Sequence, residues 1–513
     1  MVPKTLITKF ENKTPLKYNL TIIAFALLIG CFAALFPSSS LLLSVVAILA
    51  FILLIYAFPK PEVLFLCLIF FLPFTGIGIF EVGVKVTLSK IFAALICLSL
   101  VSKRFFGEKF AFRKTAYDKF LLSFFIVTVI ITLLKAPFVP VNEISALDVG
   151  DLRSPQVRFI TQIFNLALMI SIYFLTLIIL KDKKMIVRSI NVLFLSTFLV
   201  AMYGLYQFIG GFLPLPFTYL TQIRLGQAAP GIHGFIGIAR INSTLAEPKH
   251  LAFFLIPVIL FLLYLLWKKV KPWANSPRFY CLLPLLVFIF LLTFSRSAWV
   301  LLGLSFIILL PFLLKQVRLV RFLKISLLIC LGLLLVIGSV HWLTGLSIKA
   351  ALEHRLAYIS YDIWKASIDY PKIRAALDEF SKHPLLGVGY GNFPFYLASS
   401  EWYTSSHINI SPNQFLMLLV ETGILGFSLF ICFVLGSLKS SLRMIKQTKV
   451  RFWRGVNTAF LFAIVGILVS LQYESQLNQP YFWFYLGMLN ASVRLGLKEQ
   501  PVSTSDIGRS LCE

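Results

Sequence analysis

The stretch Phe279–Leu314 reads FYCLLPLLVFIFLLTFSRSAWVLLGLSFIILLPFLL, and it decides the fold. It is apolar except at Thr293–Ser297, and it is too long for one membrane helix, which needs about 20 residues. Basic segments flank it on both sides, at Lys268–Arg278 and Lys315–Lys324. Lys and Arg beside membrane spans stay in the cytoplasm, so the chain must cross the membrane twice between them. We therefore predict two helices joined by a tight outer turn at Arg296.

The same alternation of apolar runs and basic gaps extends over the whole chain. Of its 513 residues, 59% are hydrophobic, whereas a soluble domain holds about 45–50%. The runs are continuous rather than alternating, which excludes transmembrane strands. We predict an all-α fold, a polytopic transmembrane helical bundle with about 12–14 spans. The predicted spans are roughly 20–36, 41–58, 62–80, 86–102, 119–137, 159–180, 188–210, 248–267, 279–294, 297–314, 325–343, 413–435, 456–472 and 481–493.

Placing the basic gaps inside divides the chain into five parts. These are a cytoplasmic N-terminal tail at 1–19, membrane helices at 20–343, a large outer loop at 344–412, further membrane helices at 413–493 and a cytoplasmic tail at 494–513. Two smaller outer loops are predicted at 138–158 and 211–247. In the large loop, Ile348–Phe380 has apolar residues at helical spacing and is interrupted by Pro371. This pattern predicts short amphipathic helices at the membrane surface.

The charge and the cysteines exclude other classes of function. The formal net charge is +26, but most basic residues lie in the inner gaps, where they suit orientation and anionic lipid. We therefore expect membrane lipids as partners and no nucleic acid. The cysteines have no metal or disulfide spacing. The chain also lacks a P-loop, a DxD motif and an HExxH motif, so neither a metal nor a nucleotide-sugar site is expected.

The polar segment Ala239–Ala252, ARINSTLAEPKHLA, lies in front of a predicted span. Its chemistry-bearing residues are Arg240, Asn242, Ser243, Glu247, Lys249 and His250. Pro248 suits the first turn of a helix, and a helix N-terminus beside cationic groups favours an anion. Arg296, at the other outer turn, has the forked geometry that binds phosphate. For both arginines a second interpretation stays open, in which they cap helices and extend to the membrane interface.

Two further outer segments carry ionisable residues. His383–Phe393 reads HPLLGVGYGNF, whose glycines indicate a loop that turns tightly near a ligand or the membrane, or a purely structural loop. Ser405–Gly426 reads SSHINISPNQFLMLLVETGILG, in which His407 has a suitable pKa to accept a proton from a hydroxyl. Glu421 falls inside a span, where a carboxylate is costly unless paired. We therefore expect it to be linked to an arginine.

Four stretches together resemble the O-antigen ligase and O-antigen polymerase superfamily of bacterial membrane enzymes. They are ARINSTLAEP, TFSRSAW, HPLLGVGYGNF and PNQFLMLLVETGILG. The resemblance implies an inverting, metal-independent glycosyltransferase without cofactor, in the bacterial inner membrane with both termini cytoplasmic. It implies an undecaprenyl-diphosphate-linked glycan as donor at the periplasmic face, and a glycan or lipid acceptor. Polysaccharide-assembly proteins are further implied partners.

The resemblance also implies roles for residues. Arg240 and Arg296 correspond to arginines that hold the diphosphate, and a loop histidine is expected as general base. Family members show His-Asn before the LxxLxExG stretch, but this chain has Pro412-Asn413 there. His407 is therefore the first candidate base and Glu247 the second. His250, His383, Lys249, Asn413 and Glu421 are supporting candidates.

The pattern ArgxxSerxxxGluPro, formed by Arg240, Ser243, Glu247 and Pro248, favours a polymerase over a ligase. The rival hypothesis is a membrane transporter, either a polysaccharide flippase or a small-anion carrier. A transporter is expected to show ionisable groups or broken helices near the middle of the membrane. The predicted spans contain few charges and no visible half-repeat, which favours the enzyme.

Overall fold

The computed structural model describes residues 57–81, 85–108, 115–140, 155–211, 213, 215–216, 218, 240–314, 369–402, 413–473 and 477–499. Within these ranges the chain forms 13 α-helices and a single two-stranded antiparallel sheet. The elements before the middle of the chain are α1 Pro61–Phe70, β1 Gly78–Glu81, β2 Lys85–Thr87, α2 Leu88–Phe105, α3 Asp118–Lys135, α4 Pro155–Ile179 and α5 Lys183–Gly210. The later elements are α6 Pro248–Trp267, α7 Pro277–Leu292, α8 Arg296–Leu314, α9 Asp369–Lys382, α10 Phe393–Ala398, α11 Gln414–Gln447, α12 Arg451–Ser470 and α13 Pro480–Lys498.

The predicted helical bundle is confirmed. Of the described helices, 6 are long and apolar enough to cross a membrane, and α1, α7 and most of α8 are shorter apolar helices. The N-terminal tail, the spans predicted at 20–36 and 325–343, and His407 lie outside the described residues. The total number of spans therefore stays a prediction.

A turn is present at the place predicted within Phe279–Leu314, and its location on the outer face stays a prediction. Helix α7 ends at Leu292 and α8 begins at Arg296. The chain reverses through Phe294, whose φ of 47° is in the left-handed region. Thr293 supports the turn, because its hydroxyl donates to the carbonyl of Phe290 at 2.6 Å. Three residues therefore separate two apolar helices, and Arg296 lies exposed at the first turn of the second helix.

The span predicted at 62–80 is wrong in its second half. Helix α1 ends at Phe70, and the chain then passes into the hairpin β1–β2, where Gly78 pairs with Thr87. Pro73 cannot continue the helical hydrogen bonds. Gly76 approaches another backbone closely: its amide donates to Thr244 at 2.9 Å, and a Cβ there would lie 2.6 Å from the Thr244 carbonyl oxygen. The apolar composition alone did not reveal this contact.

The centre of the bundle is built by α6, α12 and α13. Almost every side chain of α6 is buried, including aromatic Phe253, Phe254 and Phe261. Glycines allow close helix contact, as small residues do in membrane helices. A Cβ on Gly487 of α13 would lie 2.6 Å from Thr176 of α4. Packing of aromatic and small residues therefore fixes the helix positions without buried charges at the centre.

The described candidate residues belong to one end of this bundle, here called the site end. At this end, the last turn of α5 meets the segment before α6 through Gln207 and Asn242, whose side chains hydrogen-bond at 3.2 Å. The first turns of α11 and the end of α12 meet where the Gln414 amide donates to the Leu471 carbonyl at 2.8 Å. Phe254 and Tyr481 join the two halves, with ring centroids 5.6 Å apart. The first turns of α5 and α7, which carry Lys183 and Arg278, lie at the opposite end, where Lys183 covers the Phe452 ring.

Candidate active site

The segment before α6 is locked onto its neighbours by buried polar side chains. The Gln207 side-chain oxygen accepts hydrogen bonds from the amide of Ser243 at 2.7 Å and that of Asn242 at 3.3 Å. The Ser243 hydroxyl donates to the carbonyl of Val200 at 2.7 Å, and Thr244 donates to Pro73 at 2.8 Å. Ser243 has a φ of 51°. These residues therefore anchor the segment. Arg240 before it and Glu247 after it are the candidates for chemistry.

Arg240 is brought to the turn that carries Arg296. Its Nε donates to the Thr293 carbonyl at 3.0 Å, and Arg240 is half-buried. Arg296 follows in the same turn and is exposed at the N-terminus of α8. Two arginines from distant parts of the sequence thus belong to one turn, Arg240 by its side chain and Arg296 by its place in the chain. An anion site at this turn stays a prediction.

The start of α6 adds acidic and basic groups beside this region. Glu247 occupies the N-cap position and is exposed, and Pro248 takes the first helical position. Lys249 lies 3.4 Å from the Glu247 carboxylate, and both side chains are well exposed, so the ion pair contributes little to stability. His250 is half-buried in the first turn of the helix. Both α6 and α8 begin at the site end, so the partial positive charges of their N-termini add to the arginines.

A second group of residues surrounds a break in α11. Gly423 has φ 62° and ψ −174°, which divides α11 into two half-helices. The loop Pro384–Asn392 fills the break. The amides of Val388 and Gly389 donate to the carbonyls of Val420 and Glu421, both at 2.9 Å. In return, the Ile424 amide donates to the Pro384 carbonyl at 2.9 Å. The backbone groups released by the break are therefore satisfied by the loop, as a membrane interior requires.

The glycines of this loop are required by its shape. Gly387, Gly389 and Gly391 have φ values of 69°, 95° and 79°, which glycine adopts readily. A Cβ on Gly387 would lie 2.5 Å from the Val420 carbonyl oxygen. The alternating glycines, which the sequence left open between a ligand loop and a structural loop, thus have a structural reason.

Glu421 has an arginine in its surroundings. It is 5% exposed, and the backbone amides of Gly391 and Phe393 act on its carboxylate. The charge of Arg158 acts on the Glu421 carboxylate, and the Arg158 Nε donates to the Gly391 carbonyl at 2.5 Å. The Gly391 residue is thus held from both sides. Arg158 was not among the predicted site residues. Its position at the start of a predicted span, together with the need of Glu421 for a positive charge, could have indicated it.

His383 lies where α9 ends and the glycine loop begins. Its ring makes an edge contact with Tyr396, with centroids 6.4 Å apart, and its carbonyl accepts from the Gly387 amide at 2.9 Å. Partial burial and the positive charge of Lys135 lower the pKa of His383 below its usual value, and the nearby Glu379 acts in the opposite direction. The imidazole is therefore neutral over a wider pH range than a free histidine.

Asn413 caps a helix. Its side-chain oxygen accepts from the amides of Phe415 and Leu416, both at 3.0 Å, and its side-chain nitrogen donates to Gln472 at 3.2 Å. This capping gives Asn413 a structural role at the start of α11. Of the predicted site residues, Arg240 and Arg296 belong to one turn, Glu421 and His383 adjoin the loop in the break of α11, and Asn413 lies apart from the break at the start of α11. His407 lies outside the described residues.

The chain is similar to one known protein family over part of its length. Residues 281–431 match the model of a protein family described as O-antigen ligase. This range holds Arg296, the glycine loop, Asn413 and Glu421, whereas Arg240 and Arg158 lie outside it. No curated protein matches the chain. The resemblance to the O-antigen ligase and polymerase superfamily is thereby confirmed over residues 281–431.

Proposed function

We propose that this protein is a membrane glycosyltransferase acting on oligosaccharide linked to undecaprenyl diphosphate at the outer face of the bacterial inner membrane. It transfers the glycan to another glycan or lipid during O-antigen or exopolysaccharide assembly. The region similar to O-antigen ligase supports the enzyme class. The observation that carries the proposal is the contact of Arg240 with Thr293, which places two arginines at one turn.

The reaction requires stabilisation of a departing diphosphate. An acceptor hydroxyl attacks the anomeric carbon from the face opposite the diphosphate, which inverts the configuration. The carbon–oxygen bond to the diphosphate breaks, and undecaprenyl diphosphate leaves with the electron pair. Arg240 and Arg296 stabilise its charge, since guanidinium groups stay protonated and bind phosphate oxygens in pairs. No metal takes part in the proposed mechanism.

The acceptor proton passes to a base on the outer side. His407 remains the first candidate, and Glu247, at the start of α6, is the second. Glu247 is exposed and pairs with Lys249 at 3.4 Å. The order Arg240, Ser243, Glu247 and Pro248 favours a polymerase over a ligase.

A transporter remains the second candidate, because α11 is a broken helix with a buried carboxylate and arginine beside the break. Transporters use half-helix ends to bind substrates and ions. Here, however, the carbonyls of Val420 and Glu421 and the amide of Ile424 are already bonded to the loop. Half-helix ends that are occupied by their own chain favour a structural break over a transport site.

Replacement of Arg296 tests the proposed function. We expect Arg296→Ala to abolish surface polymer and transfer by purified protein, because one of two cations facing the diphosphate is lost. The probe is lipid-linked glycan extracted from cells that lack the protein. The matched control is Arg278→Ala, which removes an exposed arginine from the first turn of α7 at the opposite end.

Three results would decide between the hypotheses. Loss of transfer in Arg296→Ala, with wild-type protein abundance and normal Arg278→Ala, supports the enzyme. Normal polymer length in Arg296→Ala contradicts the diphosphate role. Movement of lipid-linked glycan across vesicles without any chain growth supports the transporter instead.

A further inference from the structure

The break in α11 is a costly arrangement for a membrane protein. An unbroken helix would satisfy its own backbone groups, whereas this one depends on the loop Pro384–Asn392 from outside the span. It also buries the side chains of Glu421 and Arg158, which are 5% and 8% exposed. Charges inside a membrane protein are expensive and usually functional. A strained backbone that is held in place by many surrounding contacts is found preferentially at functional sites.

The Gly391 residue connects the two charges. Its amide acts on the Glu421 carboxylate, and its carbonyl accepts from the Arg158 Nε at 2.5 Å. Its φ of 79° and the nearby Gln162, whose Cγ would lie 2.8 Å from an added Cβ, leave little freedom for this residue. The two charged side chains therefore hold the end of the loop to α4 and to the first half of α11.

We propose that Arg158 and Glu421 are positioning residues of the transfer reaction, which fix the glycine loop in the break of α11. This inference rests on the proposed function. Through the loop, they set the position of His383 at one end and of α10 at the other. They also set the orientation of the half-helix that begins at Gln414, where the related enzymes carry their His-Asn pair. Their contacts given above are with the glycine loop and not with the turn around Thr293.

Kinetics of purified variants test the proposal, with lipid-linked glycan extracted from cells that lack the protein as probe. We expect Arg158→Gln and Glu421→Gln each to lower kcat by roughly 10²-fold, the scale of a small misplacement of reacting groups. KM should remain near the wild-type value, because the diphosphate contacts are untouched. The double variant should be no slower than either single variant, because both residues act on one peptide. Arg158→Lys and Glu421→Asp should recover part of kcat.

The matched control is the double variant Lys181→Gln, Glu62→Gln, which removes an ion pair of 3.7 Å whose side chains are about half exposed at the opposite end. It should leave kcat unchanged. Wild-type kcat in Arg158→Gln or Glu421→Gln overturns the proposal, as does a double variant whose loss equals the product of the single losses. If even Arg158→Lys and Glu421→Asp yield no monodisperse protein, the pair is purely structural and the proposal is overturned. Arg296→Ala, measured in parallel, separates these failures from failure of the proposed function.

Discussion

The hydrogen bond from Arg240 to the Thr293 carbonyl is the contact on which the candidate site depends. Arg240 and Arg296 were selected from their segments, and the structure brings them to one turn through Thr293. The sequence also predicted that Glu421 needs an arginine nearby. It did not predict that this arginine is Arg158, because their proximity depends on how α4 packs against the glycine loop. The local sequence shows which chemistry a side chain can perform, but it does not show which distant residue the side chain will contact.

The environment of His383 leads to a prediction at the residue scale. Burial and the charge of Lys135 lower the pKa of its imidazole. Removing that charge in Lys135→Gln should raise the pKa part of the way toward the usual value, since burial persists. Modification of His383 by diethyl pyrocarbonate, which reacts with the neutral ring, should then have its midpoint at higher pH. Mass spectrometry of the modified peptide measures this midpoint.

The control for this prediction is Lys439→Gln, which removes an exposed lysine from the later part of α11. It should leave the midpoint for His383 where it is in the wild type. An unchanged midpoint in Lys135→Gln would show that Lys135 does not act on the imidazole.

At the scale of elements, the sequence predicted most helices close to their observed positions. The predicted span 248–267 coincides with α6, and 297–314 nearly coincides with α8. Hydrophobic runs and basic gaps carry that information. The break in α11 was not predicted, because Gly423 becomes a breaking point only when the loop Pro384–Asn392 supplies new hydrogen-bond partners. The same reason explains the missed hairpin after α1, which depends on contacts with Thr244.

The glycines at the break allow a prediction at this scale. Gly387→Ala and Gly423→Ala should each destabilise the protein by at least roughly 1–3 kcal/mol, because alanine disfavours a positive φ. In addition, a Cβ on Gly387 would lie 2.6 Å from the Gly423 amide nitrogen. The apparent melting temperature in detergent, followed by size-exclusion chromatography of heated samples, measures the loss.

Gly303→Ala in α8 is the matched control, because a Cβ there meets nothing within 4 Å and the residue is helical. Alanine should be neutral or slightly stabilising at that position. Equal melting temperatures for all three variants would mean that the loop does not fill the break in the way described.

At the scale of the whole molecule, the described candidate residues lie at one end, and the first turns of α5 and α7 with Lys183 and Arg278 lie at the other. The alternation of apolar runs and basic gaps predicted a helical bundle, which is confirmed. Which end faces outward stays a prediction from the counts of basic residues beside spans. The sequence was not sufficient to relate the arginine turn to the glycine loop, since the two segments are far apart in the chain and their relation depends on tertiary packing.

The most direct test of the central claim is an experimental structure of the purified protein with its lipid-linked glycan bound. We expect diphosphate density at the turn Thr293–Arg296, with the guanidinium groups of Arg240 and Arg296 both about 2.7–2.9 Å from phosphate oxygens. Diphosphate density at another place, or either guanidinium turned away from it, would contradict the account.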